Sequence, residues 1–297
     1  MSDTAYFRPD SLEDALAILG QHPCQILSGG TDHFPARVGP QAPTPILDIG
    51  AIDALRGIRD AGDYLHLGAR TTWTDVLEAE LPPRFDGLLD GLKLAAREVG
   101  GVQIQNRGTL AGNICDASPA ADGVPCLLAA DAQVVIAHRE GQRCVPLADF
   151  LTGYRQSVLR ADEIVCALRL PKPSAPARSH FLKLGARHYL VISIAMVAVT
   201  LEGGADGTVT AARLAVGACS AVAQRLPELE ARLVGQPMTA DLGAMVQPSD
   251  LADLSPIDDA RANADYRRRA AGVLLRRALN HLADDPKLMT DQGVSAA

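Results

Sequence analysis

Residues 103–123 read Gln-Ile-Gln-Asn-Arg-Gly-Thr-Leu-Ala-Gly-Asn-Ile-Cys-Asp-Ala-Ser-Pro-Ala-Ala-Asp-Gly. The stretch contains too many small and polar residues for a regular core element, although Leu110 and Ile114 indicate that part of it is buried. It is typical of a loop that folds around a ligand, and a helix is expected after Pro119. Its backbone amides near glycine and its polar side chains suit a ligand that carries phosphate and hydroxyl groups.

A second glycine-bearing segment, residues 28–32, reads Ser-Gly-Gly-Thr-Asp and follows a short predicted strand. Paired glycines let a backbone pass close to a ligand and point successive amides at an anion. A Gly-Gly pair alone is more often only a turn. Together with the Gly-Thr-Leu-Ala-Gly-Asn run of residues 108–113, it predicts one loop for each part of a diphosphate. The chain lacks the Gly-x-Gly-x-x-Gly and Gly-x-x-x-x-Gly-Lys-Ser/Thr patterns, which disfavours a Rossmann site and excludes a P-loop.

Composition and charge narrow the class of protein. The chain has 297 residues, 47% of them hydrophobic, so it can bury a sizeable core. A formal net charge of -7 argues against nucleic acid or an anionic membrane surface as the main partner. The six cysteines show no metal-ligand spacing, which predicts that most are small buried thiols in a reducing compartment and that the chain has no metal site. Without a visible secretory signal or membrane span, we expect a cytoplasmic location.

The hydrophobic pattern predicts two regions separated by a proline-rich linker at residues 171–176. In the first region, a Ser11 cap begins a helix that ends at Gly20. The other predicted elements there are strands at 24–27, 46–49, 64–68, 134–138, 143–147 and 163–170, and helices at 72–78, 88–99 and 119–130. In the second region we predict strands at 181–184, 190–201 and 209–217, and helices at 226–234 and 257–283, the last with Asp258 and Asp259 in its first turn.

At residues 28–32, 106–113 and 117–123, the order and spacing of these motifs closely resemble the FAD-binding medium subunit of molybdenum hydroxylases. That family includes xanthine dehydrogenase, the aerobic molybdenum-type carbon monoxide dehydrogenase and bacterial N-heterocycle hydroxylases. The resemblance covers nearly the whole chain. It includes Phe-Arg-Pro-x-Ser-Leu-x-x-Ala near the start, Tyr154-Arg155, and Asp-Glu-Ile at residues 162–164.

The resemblance implies an α+β protein with a vanillyl-alcohol-oxidase-type (PCMH-type) FAD-binding fold. Its FAD-binding region is expected at residues 1–172, divided into subdomains of about 1–56 and 57–172. A C-terminal α+β domain, with a three-stranded sheet and helices, is expected at residues 177–284, followed by a tail at 285–297.

The resemblance also implies noncovalent FAD, with no catalytic residue and no metal on this chain. The glycine motifs are expected to contact FAD through backbone amides, and Ser118 and Asp122 to bind sugar or ribityl hydroxyls. Lys183 matches a basic residue that the family places near the flavin, where a cation favours the anionic reduced form. The expected cofactor contacts are Leu27, Ser28, Gly29, Gly30, Thr31, Asp32, Asn106, Arg107, Thr109, Leu110, Ala111, Gly112, Asn113, Ser118, Asp122 and Lys183.

Several of these residues have a second interpretation that involves no ligand. Asn106 and Arg107 either brace the loop or contact the cofactor. Asp122 is also a candidate cap for the following helix, and Lys183 a candidate solvated strand residue. Trp73, the single tryptophan, is expected in the core or at a subunit contact.

The implied function is electron transfer within a larger enzyme. A small subunit with two [2Fe-2S] clusters and a large molybdopterin subunit are the expected partners, as a dimer of heterotrimers, and this chain would pass electrons from FAD to an acceptor. The alternatives are a stand-alone flavoprotein oxidase or reductase with its own substrate pocket, and a nucleotide-binding module without redox activity. The sequence identifies neither the organic substrate nor the final electron acceptor, which could be NAD, a quinone, a cytochrome or oxygen.

Overall fold

A computed structural model of the chain describes residues 5–35, 44–239 and 241–283. Its first helix, α1 (Leu12–Leu19), begins at the predicted cap, where the Ser11 hydroxyl accepts a hydrogen bond from the Asp14 amide at 3.1 Å. The helix packs on a small sheet in which a central strand is parallel to both neighbours. The strands of this sheet are β1 (Tyr6–Phe7), β2 (Gln25–Leu27) and β3 (Ile46–Asp48).

A five-stranded antiparallel sheet follows, in the order β4-β5-β10-β6-β7, so the last of these strands in the sequence lies at the centre of the sheet. The side chains of its central strands point alternately to the two faces of the sheet, and each face packs against a different hydrophobic cluster. The strands are β4 (Ile58–Asp60), β5 (Tyr64–Gly68), β6 (Gln133–His138), β7 (Gly141–Pro146) and β10 (Ile164–Pro171). The remaining elements of this region are α2 (Trp73–Glu78), α3 (Asp90–Glu98), α4 (Val102–Gln105), α5 (Leu110–Asp116), α6 (Gly123–Ala129), α7 (Leu147–Phe150) and the hairpin β8 (Leu151–Gly153) and β9 (Gln156–Ser157).

About half of the stretch at residues 103–123 is helical, in α4, α5 and the first residue of α6, so the prediction of a loop was wrong for those residues. Thr109 caps α5, and its hydroxyl accepts from the Gly112 amide at 3.0 Å. Leu110 and Ile114, four residues apart, share one helix face and are fully buried. The following helix was also misplaced, because α6 begins at Gly123 and not directly after Pro119.

Trp73 lies in the core, with 1% of its surface exposed. Added Cβ atoms at Gly108 and Gly123 would lie 3.2 and 2.6 Å from the indole, so these glycines let two chain segments pack against the ring. The prediction of core packing for Trp73 is confirmed.

The C-terminal part contains an antiparallel sheet of four strands, where three were predicted. The additional strand has two residues, too few for a hydrophobic pattern. The predicted strand at 190–201 starts later, at Ala195, because residues 190–194 form no ladder. These elements are β11 (Ala177–Leu184), β12 (Ala195–Gly203), β13 (Val209–Gly217), β14 (Gln224–Arg225), α8 (Pro227–Leu233) and α9 (Ala264–Ala283).

The last helix, α9, begins at Ala264, so the predicted start at residue 257 was wrong. Asp258 and Asp259 precede the helix. Asp258 accepts from the Ala264 amide at 2.5 Å, and Asp259 pairs with Arg267 at 2.6 Å. They therefore anchor the segment that leads into the helix, and do not occupy its first turn. The predicted tail at 285–297 lies outside the described residues.

The predicted linker at residues 171–176 forms hydrogen bonds with both regions of the chain that it joins. Pro171 is the last residue of β10 and is paired with Tyr64, and the Lys172 amide donates to the Asp63 carbonyl at 2.9 Å. The Ser174 and Ala175 amides donate to the buried Glu202 carboxylate of the C-terminal sheet at 2.9 and 3.2 Å. The prolines exclude regular structure over residues 172–176, but hydrogen bonds fix the path of the chain.

The C-terminal sheet packs directly on α3 and α6. Phe181, Met196 and Ala215 belong to the same buried cluster as those helices. Across this interface the Ser179 hydroxyl donates to the carbonyl of Gly87 at 2.8 Å and accepts from the Gly91 amide at 2.9 Å. Apolar burial and satisfied polar groups therefore join the two parts.

Glu163 precedes the central strand β10, and its side chain is fully buried. Arg143 donates two hydrogen bonds to its carboxylate, both at 2.8 Å, the Arg160 amide donates a third at 2.9 Å, and the Arg160 guanidinium forms an ion pair with it at 2.9 Å. The Arg143 guanidinium holds the pKa of Glu163 at about 2, below its ordinary 4.5. The stabilisation is therefore present above pH 4.5 and is lost as the pH falls toward 2.

We expect Glu163→Gln to lower the free energy of unfolding by about 2 kcal/mol at neutral pH. The substitution removes the buried carboxylate that pairs with two partly exposed arginines. Denaturant titrations at several pH values measure this. The difference from wild type should narrow as the pH falls from about 4.5 toward 2, because the Glu163 carboxylate of the unfolded chain takes up a proton in that range before the folded one does. Glu140→Gln, in the exposed β6–β7 turn, is the matched control and should cost less than about 0.5 kcal/mol. If Glu163→Gln lowered the free energy of unfolding by the same amount at every pH, this account would be contradicted.

Candidate functional site

A cleft of about 720 Å³ lies where the turn after β2 meets helices α4 and α5. Its volume is within the range of sites that hold small ligands and cofactors. Both glycine-bearing segments of the sequence contribute to its walls. The lining residues are Gln25, Ile26, Gly29, Gly30, Thr31, Asp32, His33, Trp73, Val99, Ile104, Gly108, Thr109, Gly112, Asn113, Cys115, Asp116 and Arg155.

The two segments touch at Gly29. A Cβ atom added there would lie 1.9 Å from the carbonyl oxygen of Arg107, so only glycine permits this approach. Gly30 follows with φ of +73°, a left-handed conformation that favours glycine. The paired glycines therefore have separate tasks, since one allows contact between segments and the other turns the chain.

The turn after β2 presents unpaired donors to the cleft. Within the described part of the chain, the amides of Gly29, Gly30, Thr31 and Asp32 have no hydrogen-bond partner. On the facing wall, Asn113 lies on α5, and its Oδ1 accepts from the Gly123 amide at 3.3 Å. Successive free amides suit the oxygens of a phosphate or diphosphate, because they supply positive partial charge without a cation.

Three charged side chains also line the cleft. Arg155 lies at the tip of the β8–β9 hairpin, with its Nη1 2.7 Å from Asp116 Oδ1 and 3.7 Å from Asp32 Oδ2. Burial raises the pKa of Asp116, the nearby Asp32 carboxylate raises it further, and Arg155 opposes both. Asp116 and Arg155 were not among the expected cofactor contacts, although Asp116 is one of the polar side chains of the stretch at 103–123 that suit a ligand with phosphate and hydroxyl groups. The sequence signal for Arg155 was Tyr154-Arg155, which was noted as part of the family resemblance.

The structure brings seven of the predicted cofactor contacts to the cleft wall and places others behind it. Asn106 accepts a hydrogen bond from the Thr74 hydroxyl at 2.6 Å, which supports the bracing interpretation. Arg107 meets Gly29 through its backbone carbonyl, as described above. Leu27, Leu110 and Ala111 are buried in the core, and Ser118 accepts from the Ala120 amide at 3.3 Å in its own turn. Ser28 is half-buried beside the cleft.

Asp122 and Lys183 form a buried ion pair and are not among the lining residues of this cleft. Lys183 Nζ lies 2.6 Å from Asp122 Oδ2, and the Ser193 hydroxyl donates to the other oxygen at 2.7 Å. Burial raises the pKa of Asp122, and Lys183 opposes that rise. Lys183 is therefore not solvated, and the Asp122 side chain makes no capping hydrogen bond to α6.

Lys183 also lines a second cavity of about 490 Å³ between α3 and β11, together with Arg97, Glu98, Arg187 and His188. Among residues 5–35, 44–239 and 241–283, no group of three His, Cys, Asp or Glu side chains could hold a metal ion. No helix in those same ranges is long and apolar enough to cross a membrane.

The fold and this cleft define a PCMH-type FAD-binding protein, and comparisons with known proteins give the family. Residues 2–173 match the FAD-binding domain in molybdopterin dehydrogenases, and residues 180–282 match the C-terminal domain of the carbon monoxide dehydrogenase flavoprotein. The chain belongs to the family of FAD-binding subunits of molybdenum hydroxylases. It is an oxidoreductase subunit with FAD as its cofactor.

Similar proteins cover nearly the full chain. The β subunit of caffeine dehydrogenase from Pseudomonas sp. is 31% identical and matches over 94% of each chain. The medium chain of carbon monoxide dehydrogenase from Hydrogenophaga pseudoflava is 29% identical, over 93% of this chain and 95% of that one. A structure of the Hydrogenophaga enzyme lacking the Mo-pyranopterin moiety superimposes with a TM-score of 0.82 at 30% identity, covering 93% and 96% of the two chains.

We expect Gly29→Ala to weaken FAD binding by about tenfold or more, because the added methyl group forces the two walls of the cleft apart. Titration of the apoprotein with FAD, followed by flavin fluorescence, measures the change. Gly20→Ala is the matched control, since its methyl group meets mainly the flexible Arg139 side chain. Wild-type affinity in a folded Gly29→Ala protein would show that this contact does not shape the cofactor site.

Lys183→Met should destabilise the fold by about 3 kcal/mol, because it leaves Asp122 buried without its partner. Adding Asp122→Asn should recover at least half of the loss, since the uncompensated carboxylate is then absent. Chemical unfolding of both variants tests the pair. Lys172→Met, on an exposed linker lysine, serves as the control. If the double variant were no more stable than the single one, the pairing would not explain the cost.

Proposed function

We propose that this chain accepts electrons from [2Fe-2S] clusters of a small partner subunit and passes them through noncovalent FAD to an external acceptor. A large molybdopterin-containing subunit carries out the hydroxylation, and the complex is a cytoplasmic dimer of heterotrimers. The observation that carries the proposal is the meeting of the two glycine segments at Gly29, over a cleft whose turn amides are unpaired. The relatives named above, a β subunit and a medium chain, support a role inside a larger complex.

The residues of the cleft fit the cofactor. The free amides at residues 29–32 would hold one part of the diphosphate, and Thr109 and Asn113 at the start of α5 would contact the other part or the ribityl chain. When bound, FAD supplies the one- and two-electron chemistry that connects iron-sulfur clusters to an acceptor. The work of this chain is to bind the cofactor, orient it and limit its contact with water.

The other proposed contacts act less directly. Asn106 braces the start of the site, and Arg107 sets the spacing between its walls through the carbonyl at Gly29. Because Lys183 is paired with Asp122, the two together carry no net charge, so Lys183 tunes the cofactor less than an unpaired cation would. We propose domain boundaries at residues 1–172, with subdomains 1–56 and 57–172, and at 177–284. The sheets of the fold fall within those ranges.

Purification of the native complex tests the proposal. We expect two further chains, which carry iron and molybdenum, to copurify, and the complex to show flavin absorbance bands at about 370 and 450 nm. In the complex, the organic substrate should reduce the flavin, whereas the isolated chain with FAD should show no reduction by the same substrate. Reconstitution without the iron-sulfur subunit should also abolish flavin reduction.

Two results would contradict this function. Full turnover of an organic substrate by the isolated flavoprotein would favour a stand-alone oxidase or reductase. Absence of bound FAD in both the complex and the reconstituted chain would remove any redox role from this subunit.

A further inference from the structure

Arg155 is held in an unusual backbone conformation beside the cleft. Its φ is +51°, in the left-handed region that non-glycine residues rarely adopt. Its amide donates to the carbonyl of Ala117 at 3.0 Å, and Ala117, at the end of α5, also has a positive φ of 50°. Two left-handed residues bonded to each other fix the hairpin tip against the helix end, and such strain persists where the surrounding structure enforces it.

The side chain of Arg155 joins three segments that are distant in the sequence. Asp32 comes from the turn after β2, Asp116 from the end of α5, and Arg155 from the β8–β9 hairpin. The guanidinium is 2.7 Å from Asp116 and 3.7 Å from Asp32. Only the contact with Asp116 is short enough for a hydrogen bond. The guanidinium also offsets the negative charge of Asp32 electrostatically, without a hydrogen bond.

This arrangement matters because the cleft must accept a dianionic diphosphate. Two carboxylates on its walls oppose an anion, and Asp116, whose side chain is 22% exposed, does so more strongly than Asp32 at 58%, because water screens an exposed charge. With Arg155 in place, the three side chains carry one net negative charge, and without it they carry two. The loss of Arg155 therefore penalises anion binding even if Arg155 never touches the ligand.

We propose that Arg155 is a positioning residue that neutralises Asp32 and Asp116, so that the diphosphate of FAD can enter the cleft between them. This inference rests on the proposed cofactor site and adds the residue that controls its charge. It differs from a direct contact between Arg155 and phosphate, and that alternative is an outcome of the test below.

The test is a double-mutant cycle on FAD affinity. Arg155→Gln should weaken FAD binding by about tenfold or more, and Arg155→Lys, which keeps the charge, should retain most of the affinity. Adding Asp116→Asn to Arg155→Gln should return the affinity to within about threefold of wild type, because the uncompensated charge is removed. Arg139→Gln, on the exposed β6–β7 turn, controls for loss of an arginine elsewhere.

A pH profile separates charge compensation from a structural role. The titratable groups that face this position are Asp32, His33, Cys115, Asp116 and Tyr154. In Arg155→Gln, FAD affinity should rise as the pH is lowered from about 8 to about 5, since burial and the nearby Asp32 raise the pKa of Asp116 and its carboxylate takes up a proton. Asp116→Asn in the same background should flatten the profile. A profile that stays equally steep would assign the dependence to another group and overturn the inference.

The folded double variant decides the question even if Arg155→Gln alone does not fold. An affinity that stays about tenfold or more below wild type would indicate direct contact between Arg155 and phosphate, and would overturn the inference. A wild-type chain that binds no FAD, or binds it equally well after Gly29→Ala, would instead remove the proposed cofactor site itself. A third result would remove only the role of Arg155: Gly29→Ala weakens FAD binding, but Asp116→Asn does not restore the affinity that Arg155→Gln loses.

Discussion

The close approach of Gly29 to the Arg107 carbonyl is the constraint on which the proposed cofactor site depends. It joins the turn after β2 to the segment between α4 and α5, two pieces of chain that belong to different sheets and helices. Any side chain at this point would separate the walls of the cleft. The residues of the turn at 29–32 and the polar residues of α5 therefore line one cleft because position 29 lacks a Cβ atom.

A second constraint fixes the C-terminal sheet to the FAD-binding region. Ser179 hydrogen bonds across the interface, and the Asp122–Lys183 pair with Ser193 lies in the same contact. A buried ion pair adds little net stability, because desolvation offsets its Coulomb energy, but it penalises every arrangement in which one partner is left alone. The pair thus makes the relative placement of α6 and β11 specific, while the apolar cluster around Phe181 supplies most of the free energy.

Local signals allowed much of the fold to be predicted, and contacts distant in the sequence account for most of what was missed. The Ser11 cap and the strands at 64–68 and 209–217 are determined by nearby residues, and the structure confirms them. At residues 103–123, the small residues concealed the four-residue spacing of Leu110 and Ile114, so a helical segment was predicted as a loop. Arg155 was missed as a site residue because its partner Asp116 is 39 residues away. The pairing of Lys183 with Asp122 spans 61 residues and gives no local pattern.

The charge of the cleft follows from how its donors are built. Backbone amides attract phosphate oxygens through partial charges, which are fixed in place and need no counterion when the site is empty. An array of lysines would bind a diphosphate more strongly, but it would also bind other anions. Two carboxylates on the wall of such a cleft repel phosphate less when a cation lies beside them. Arg155, whose amide is bonded to the end of α5, places its guanidinium 2.7 Å from Asp116 in this cleft.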